Sequence, residues 1–226
     1  MRSIRSAAAA PWVDAVLLGD AQRARAIADV AGEVPFFLTR SLSAMRAALR
    51  QLARGTRRAG LVCSAGARRL VADGIWPNFP HLDAAAVANW FLRHWPDVRA
   101  SDALELPATQ FACQGLELDH VGLCWGNDLI RRRGHSAWIV RNLSGTRWQE
   151  PRGEAAIAYQ VNTYRVLLTR ARYETVIWVP PGDPADGTRS PADFDAIAGF
   201  LLNCGVRELG EVATATAPAE PAATLL

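Results

Sequence analysis

The chain has 226 residues, half of them apolar, with a formal net charge of +3 and a pI of about 8.9. This length supports one sizeable core, the mild charge does not by itself imply nucleic acid, and no apolar run approaches the roughly 20 residues of a membrane span. All 25 basic residues are arginine, so no lysine is present to reach the β- and γ-phosphates from a P-loop.

The first twenty residues, MRSIRSAAAAPWVDAVLLGD, faintly mimic a signal peptide, but Pro11 and Asp14 break the short apolar stretch and argue against export. Leu17, Ala21, Ala24, Ala28 and Ala31 keep helical spacing and predict one amphipathic helix over 14–31, with Gly19 weakening its first turn. Val34 to Leu38 reads as a buried strand. Ser41 caps a predicted helix over 42–54, which Gly55 ends. Ala59 to Ser64 is a second buried strand, followed by a short helix through Arg68, Arg69 and Leu70. Strand, helix, strand, helix in this order predicts an α/β fold, a parallel sheet covered by helices.

Residues 74–80 read as a loop with Pro77 and Pro80 as breakers, then a helix over 83–94. Leu104 to Leu106 alternates like a strand, and Val121 to Trp125 is a buried one. An irregular insert over 131–153 holds a strand at Ala137 to Val140. A helix over 154–170, a strand at Thr175 to Val179, a loop over 180–191 and a helix over 192–202 follow. The organisation is an N-terminal helical segment over 1–33, one α/β domain over 34–212 and an Ala-, Thr- and Pro-rich disordered tail over 213–226. No internal repeat is present.

Two segments carry chemistry. In QGLELD, Gly115 permits a tight turn or a close approach of backbone to ligand. Glu117 offers a carboxylate to a ribose hydroxyl or a partner arginine, and Thr109 and Gln110 stand upstream where a hydroxyl meets phosphate. An ordinary strand-flanking turn fits the same residues. In YRVLLTRAR, three apolar residues anchor a helix whose arginines Arg165, Arg170 and Arg172 cannot all be buried without partners. A guanidinium suits phosphate because it is planar and always charged; a solvated helix face is the plainer reading. SAGARRL follows a buried strand and opens a helix, so its backbone amides with Arg68 or Arg69 form a candidate anion site.

Other residues carry less. Cys63, Cys113, Cys124 and Cys204 form no CxxC pair and read as buried thiols of a cytoplasmic protein. His81, His94, His120 and His135 show no metal spacing and read as structural or surface residues. Asp183 and Asp186 lie in a loop that lacks the Glu closing a calcium-binding pattern. Trp90, Trp125, Trp138 and Trp178 fall in apolar runs and read as core, whereas Trp12, Trp76, Trp95 and Trp148 stand in loop-like sequence and are candidates for base stacking.

Taken together, FFLTRSL, GLVCSAGARRL, ATQFACQGLELDHVGLCWGNDL, NTYRVLLTRAR and VIWVPPGD resemble, in order, the C-terminal part of superfamily 1 helicase-like proteins of the Schlafen group 3 DNA/RNA helicase type, over about Val34 to Gly205. The resemblance implies a RecA-like second motor domain. It implies Arg170 as the arginine finger supplied to ATP, Arg172 as its support, and Gln114, Gly115, Glu117 and Arg68 or Arg69 as nucleotide contacts. Such motors usually carry Lys where this chain has Gln114. Arg40 and Ser41, with Thr109 and Gln110, take the places of nucleic-acid contacts. ATP and Mg2+ are then expected only with an N-terminal P-loop domain, which is the implied partner along with single-stranded nucleic acid. The alternative is a RecA-like module that binds nucleic acid or protein and hydrolyses nothing.

Overall fold

The computed structural model describes residues 4–77, 83–132, 134–135, 137–151 and 153–210. Pro80, His81 and the tail over 213–226 lie outside the described residues. Six strands form one sheet: β1 (Phe36–Thr39), β2 (Ala59–Cys63), β3 (Ala108–Thr109), β4 (Leu118–Cys124), β9 (Ala171–Trp178) and β10 (Arg207–Glu208), in the order β10-β1-β9-β4-β2-β3. Every neighbouring pair is parallel. Parallel strands need helices on both faces, so their central strands read as continuous apolar runs. VPFFL, GLVC and TVIWV meet that condition, and the predicted parallel α/β architecture is the observed one.

Side chains alternate across the sheet. Phe36, Leu38, Val62, Val121, Leu123 and Ile177 face one core, shared with the helices α1 (Ile4–Leu17), α2 (Ala21–Ala31), α5 (Glu154–Leu168) and α6 (Pro191–Asn203). Leu61, Cys63, Cys124, Val176 and Trp178 face the other, against Met45 and Leu49 of α3 (Leu42–Leu52) and Leu70 of the 3-10 turn Arg68–Asp73. All four cysteines are buried free thiols. His120 is buried with Nδ1 2.8 Å from Glu174 Oε2.

The predicted helix over 14–31 is two helices. Gly19 sits at φ 80, a conformation that costs other residues a clash with the chain, and Asp20 accepts a hydrogen bond from Arg23 N at 2.9 Å to start α2 afresh. Trp12, expected in a loop, is fully buried inside α1; its ring stacks on Phe36 at 4.3 Å and its Nε1 donates to the Cys204 carbonyl. Residues of α1 and α2 thus pack into the same core as the strands.

Ser41 caps α3 by accepting from Ala44 N, as its sequence position implies. Asp83 does the same for α4 (Ala84–Leu92), accepting from Ala86 N. Leu104 to Leu106 is not a strand: Leu104 adopts φ 59 at the end of a 3-10 turn, and the strand lies later, in β3. The insert holds two small antiparallel pairs, β5 (Leu129–Ile130) with β6 (Ile139–Val140), and β7 (Asn142–Ser144) with β8 (Arg147–Gln149). The helix predicted over 154–170 ends at Leu168, capped by Thr169, so Arg170 occupies the junction between α5 and β9 and Arg172 lies on the strand.

Candidate functional site

Strands β4 and β9 are neighbours and run in the same direction. The residues just before each therefore meet at the N-terminal end of the sheet, and these are the two signature segments. Leu118 N donates to the Arg170 carbonyl at 3.1 Å. The Arg170 guanidinium donates through Nε to the Val166 carbonyl at 2.9 Å and through Nη1 to the Leu116 carbonyl at 3.4 Å. Arg172 Nε lies 3.2 Å from Glu117 Oε2, with both side chains 59% exposed. Gly115 turns the chain at φ 79 with open space where a Cβ would stand, so backbone conformation rather than crowding calls for glycine. Gln114 is exposed beside it. Cys113 beneath the turn is a buried thiol whose pKa burial pushes up to about 11, partly offset by the charge of Arg170.

The other candidate residues lie at the C-terminal end of the sheet. Arg40 follows β1, donates to the Pro180 carbonyl and pairs with Asp195 at 2.8 Å. Ser41 is committed to capping α3. Thr109 is buried at the end of β3. Gln110 accepts from Ala65 N at 2.9 Å, and its amide nitrogen is 3.5 Å from the Tyr159 hydroxyl. Arg69 pairs with Asp186, whose pKa is held down to about 2, first by a hydrogen bond from the Thr188 hydroxyl and also by Arg69. Arg68 is exposed and lines a cleft with Gln110 and Tyr159. The structure thus brings together Gln114, Gly115, Glu117, Arg170 and Arg172, and places Arg40, Ser41, Arg68, Arg69, Thr109 and Gln110 at the opposite end of the strands.

Residues 1–181 match the family model described as Schlafen group 3, DNA/RNA helicase domain. The chain belongs to this family. The matched stretch takes in α1 and α2, both signature segments and every strand of the large sheet except β10. No curated protein matches the chain.

This helicase-family domain also holds a buried polar cluster that no motif in the sequence marks. Asp128, fully buried beyond the C-terminal end of β4, accepts from the Tyr164 hydroxyl at 2.7 Å and from Gln160 Nε2 at 2.5 Å. Gln160 Nε2 also reaches Ser64 Oγ at 3.1 Å, and Gly126 N donates to the Tyr164 hydroxyl. Two glycines make room: a Cβ on Gly66 would stand 2.8 Å from Asp128 Oδ2, and one on Gly126 would stand 2.3 Å from Ala67 Cβ. Burial pushes the Asp128 carboxyl up, against the hydrogen bonds that favour its ionised form. A signal was available in the sequence: Gln160 and Tyr164 are one helical turn apart on α5 and point the same way. Of the tryptophans read as stacking candidates, Trp76 and Trp95 are exposed. Trp148 donates to the Thr188 carbonyl and lies under Arg141. The four read as core are buried.

Proposed function

We propose that this chain is the second RecA-like domain of an ATP-driven nucleic-acid motor, working with a P-loop domain that holds ATP and Mg2+. The observation that carries the reading is the junction of the two signature segments, Arg170 and Arg172 against Gly115 to Glu117, at one end of the sheet. Glu117, with an exposed carboxylate, is suited to accept a ribose hydroxyl. Arg170 then faces the γ-phosphate. Hydrolysis by water spreads negative charge over the transferring group, and an arginine supplied from a neighbouring domain offsets it, worth about 10³–10⁵ in rate. In this chain Nη2 of Arg170 is the nitrogen that reaches phosphate while Nε and Nη1 stay on main-chain carbonyls. Arg172 holds Glu117 in place. Closing and opening of the two domains move a nucleic acid strand across the C-terminal end of the sheet, where Arg40, Ser41, Thr109 and Gln110 stand. Arg68 belongs with that strand-facing set; Arg69 keeps Asp186 and the loop after β9 in position.

A second reading, a module that binds nucleic acid and hydrolyses nothing, draws on the same Arg170 bonds, since two of its nitrogens already serve the fold. The test is ATP hydrolysis by this domain joined to its P-loop domain, with each domain alone as a control. The motor reading expects turnover that rises with added single strand only in the joined protein. Hydrolysis by the P-loop domain that is indifferent to this chain sinks it.

A further inference from the structure

The cleft at the C-terminal end of the sheet has a volume of about 400 Å³ and lies between the loop after β2, the turn between β3 and β4, and α5. Its rim carries two aromatic side chains that the core does not need: Phe111 is 62% exposed and Tyr159 52%. Large apolar side chains left this open in the lining of one cleft call for a flat apolar partner. Base–aromatic stacking meets that need and tolerates any base, because every base has a π-face. Among the described residues that line the cleft, Arg68 is the one that carries a charge. Asp128 crowds Gly66 from within the fold, its Oδ2 2.8 Å from where a Cβ would stand.

We propose that this cleft holds one unpaired nucleotide of a single strand, its base against Phe111 and Tyr159 and its phosphate on Arg68. The inference rests on the reading that this end of the sheet faces nucleic acid, and adds to it a single-nucleotide pocket in which Phe111 and Tyr159 supply the stacking surface. A strand rather than a free nucleotide fits because a single arginine answers a single phosphate, whereas a triphosphate is cradled by several backbone amides and a lysine. A duplex keeps its bases stacked and cannot enter.

The experiment is binding of this chain to a fluorescein-labelled single-stranded 12-mer, followed by anisotropy over a range of salt. Phe111→Ala and Tyr159→Ala each weaken binding by about 5-fold or more, and Tyr159→Phe keeps it. Arg68→Ala lowers the slope of log K against log salt by about 0.7, one phosphate on a single strand. Both aromatic rings are more than half exposed, so unfolding curves of the Ala variants should overlay that of the parent. Equal affinity of parent and Ala variants overturns the pocket while leaving the Arg170 test of the motor untouched. Binding of a blunt duplex as tight as the single strand also overturns it. Tight binding of adenosine monophosphate, equal to that of the 12-mer, assigns the cleft to free nucleotide and overturns the strand assignment.

Discussion

The Asp128 carboxyl sits among hydroxyl and amide donors and is fully buried, which sets the sign of its pH dependence. Unfolded, an aspartate titrates near pH 3.9; folded, burial raises it. Between those two values the native state holds a proton that the unfolded state has lost. Stability from this group is therefore greatest at low pH and falls as pH rises from about 4 to the raised folded value. Asp128→Asn cannot ionise, so urea unfolding at a series of pH values should show the variant gaining on the parent across that window. Parallel curves for the two proteins would contradict the assignment. Asp128→Ala takes the acceptor from the Tyr164 hydroxyl while Gln160 keeps Ser64 Oγ, and should cost about 1–3 kcal/mol at the acid end of that window. The sequence offers the Gln160–Tyr164 spacing but not their partner, because these donors lie 32 and 36 residues away from Asp128, on a different element. Proximity of side chains so far apart along the chain is decided by tertiary packing. Arg68 and Arg69 were equally indistinguishable as neighbours in a string; the structure separates them because Asp186, far along the chain, takes Arg69.

Among the elements, the strands were the most readable, since each central one is an apolar run closed by a turn. The helix ends were less so. Thr169 and Arg170 continue a helical pattern in sequence, yet the carbonyls of Arg165 and Val166 close on Thr169 and the chain leaves for β9. Arg170 consequently reaches back across the last turn to Val166, a contact that a helix running to 170 would not present. At the N-terminus, residues 1–33 were set apart by helical spacing and by a resemblance that begins at Val34, and Trp12 shows how α1 is tied down. Trp12→Ala removes a fully buried indole that α1 presses onto β1, and should cost about 3–5 kcal/mol in denaturant unfolding. An unchanged midpoint would show that α1 is dispensable to the core. Gly126→Ala pushes a methyl against Ala67 and should cost about 1–3 kcal/mol by the same measurement. Gly187→Ala, in a loop where nothing lies within 4 Å, serves as the neutral comparison.

For the whole molecule, the order of motifs and the parallel sheet could be read from the chain, and the placement of those motifs at two opposite ends of the sheet could not. That placement depends on strand direction and order, which bring β4 beside β9 and leave β3 at the edge. Helix α5 joins the two ends: Tyr159 and Gln160 lie near its start at the cleft, and Arg170 follows its end at the signature junction. Under the proposed motor reading, α5 is the element that would link the strand-facing cleft to the Arg170 junction. The central claim is that Arg170 acts on ATP, and its most direct test is the steady-state ATPase rate of the joined two-domain protein carrying Arg170→Ala. The unfolding curve of the variant is recorded alongside to separate catalysis from folding. The account predicts a fall in kcat of about 10³-fold or more with an intact unfolding transition. A kcat within about twofold of the parent, far short of the loss expected on removing such an arginine, would contradict it and leave Arg170 as a structural clasp between the two segments.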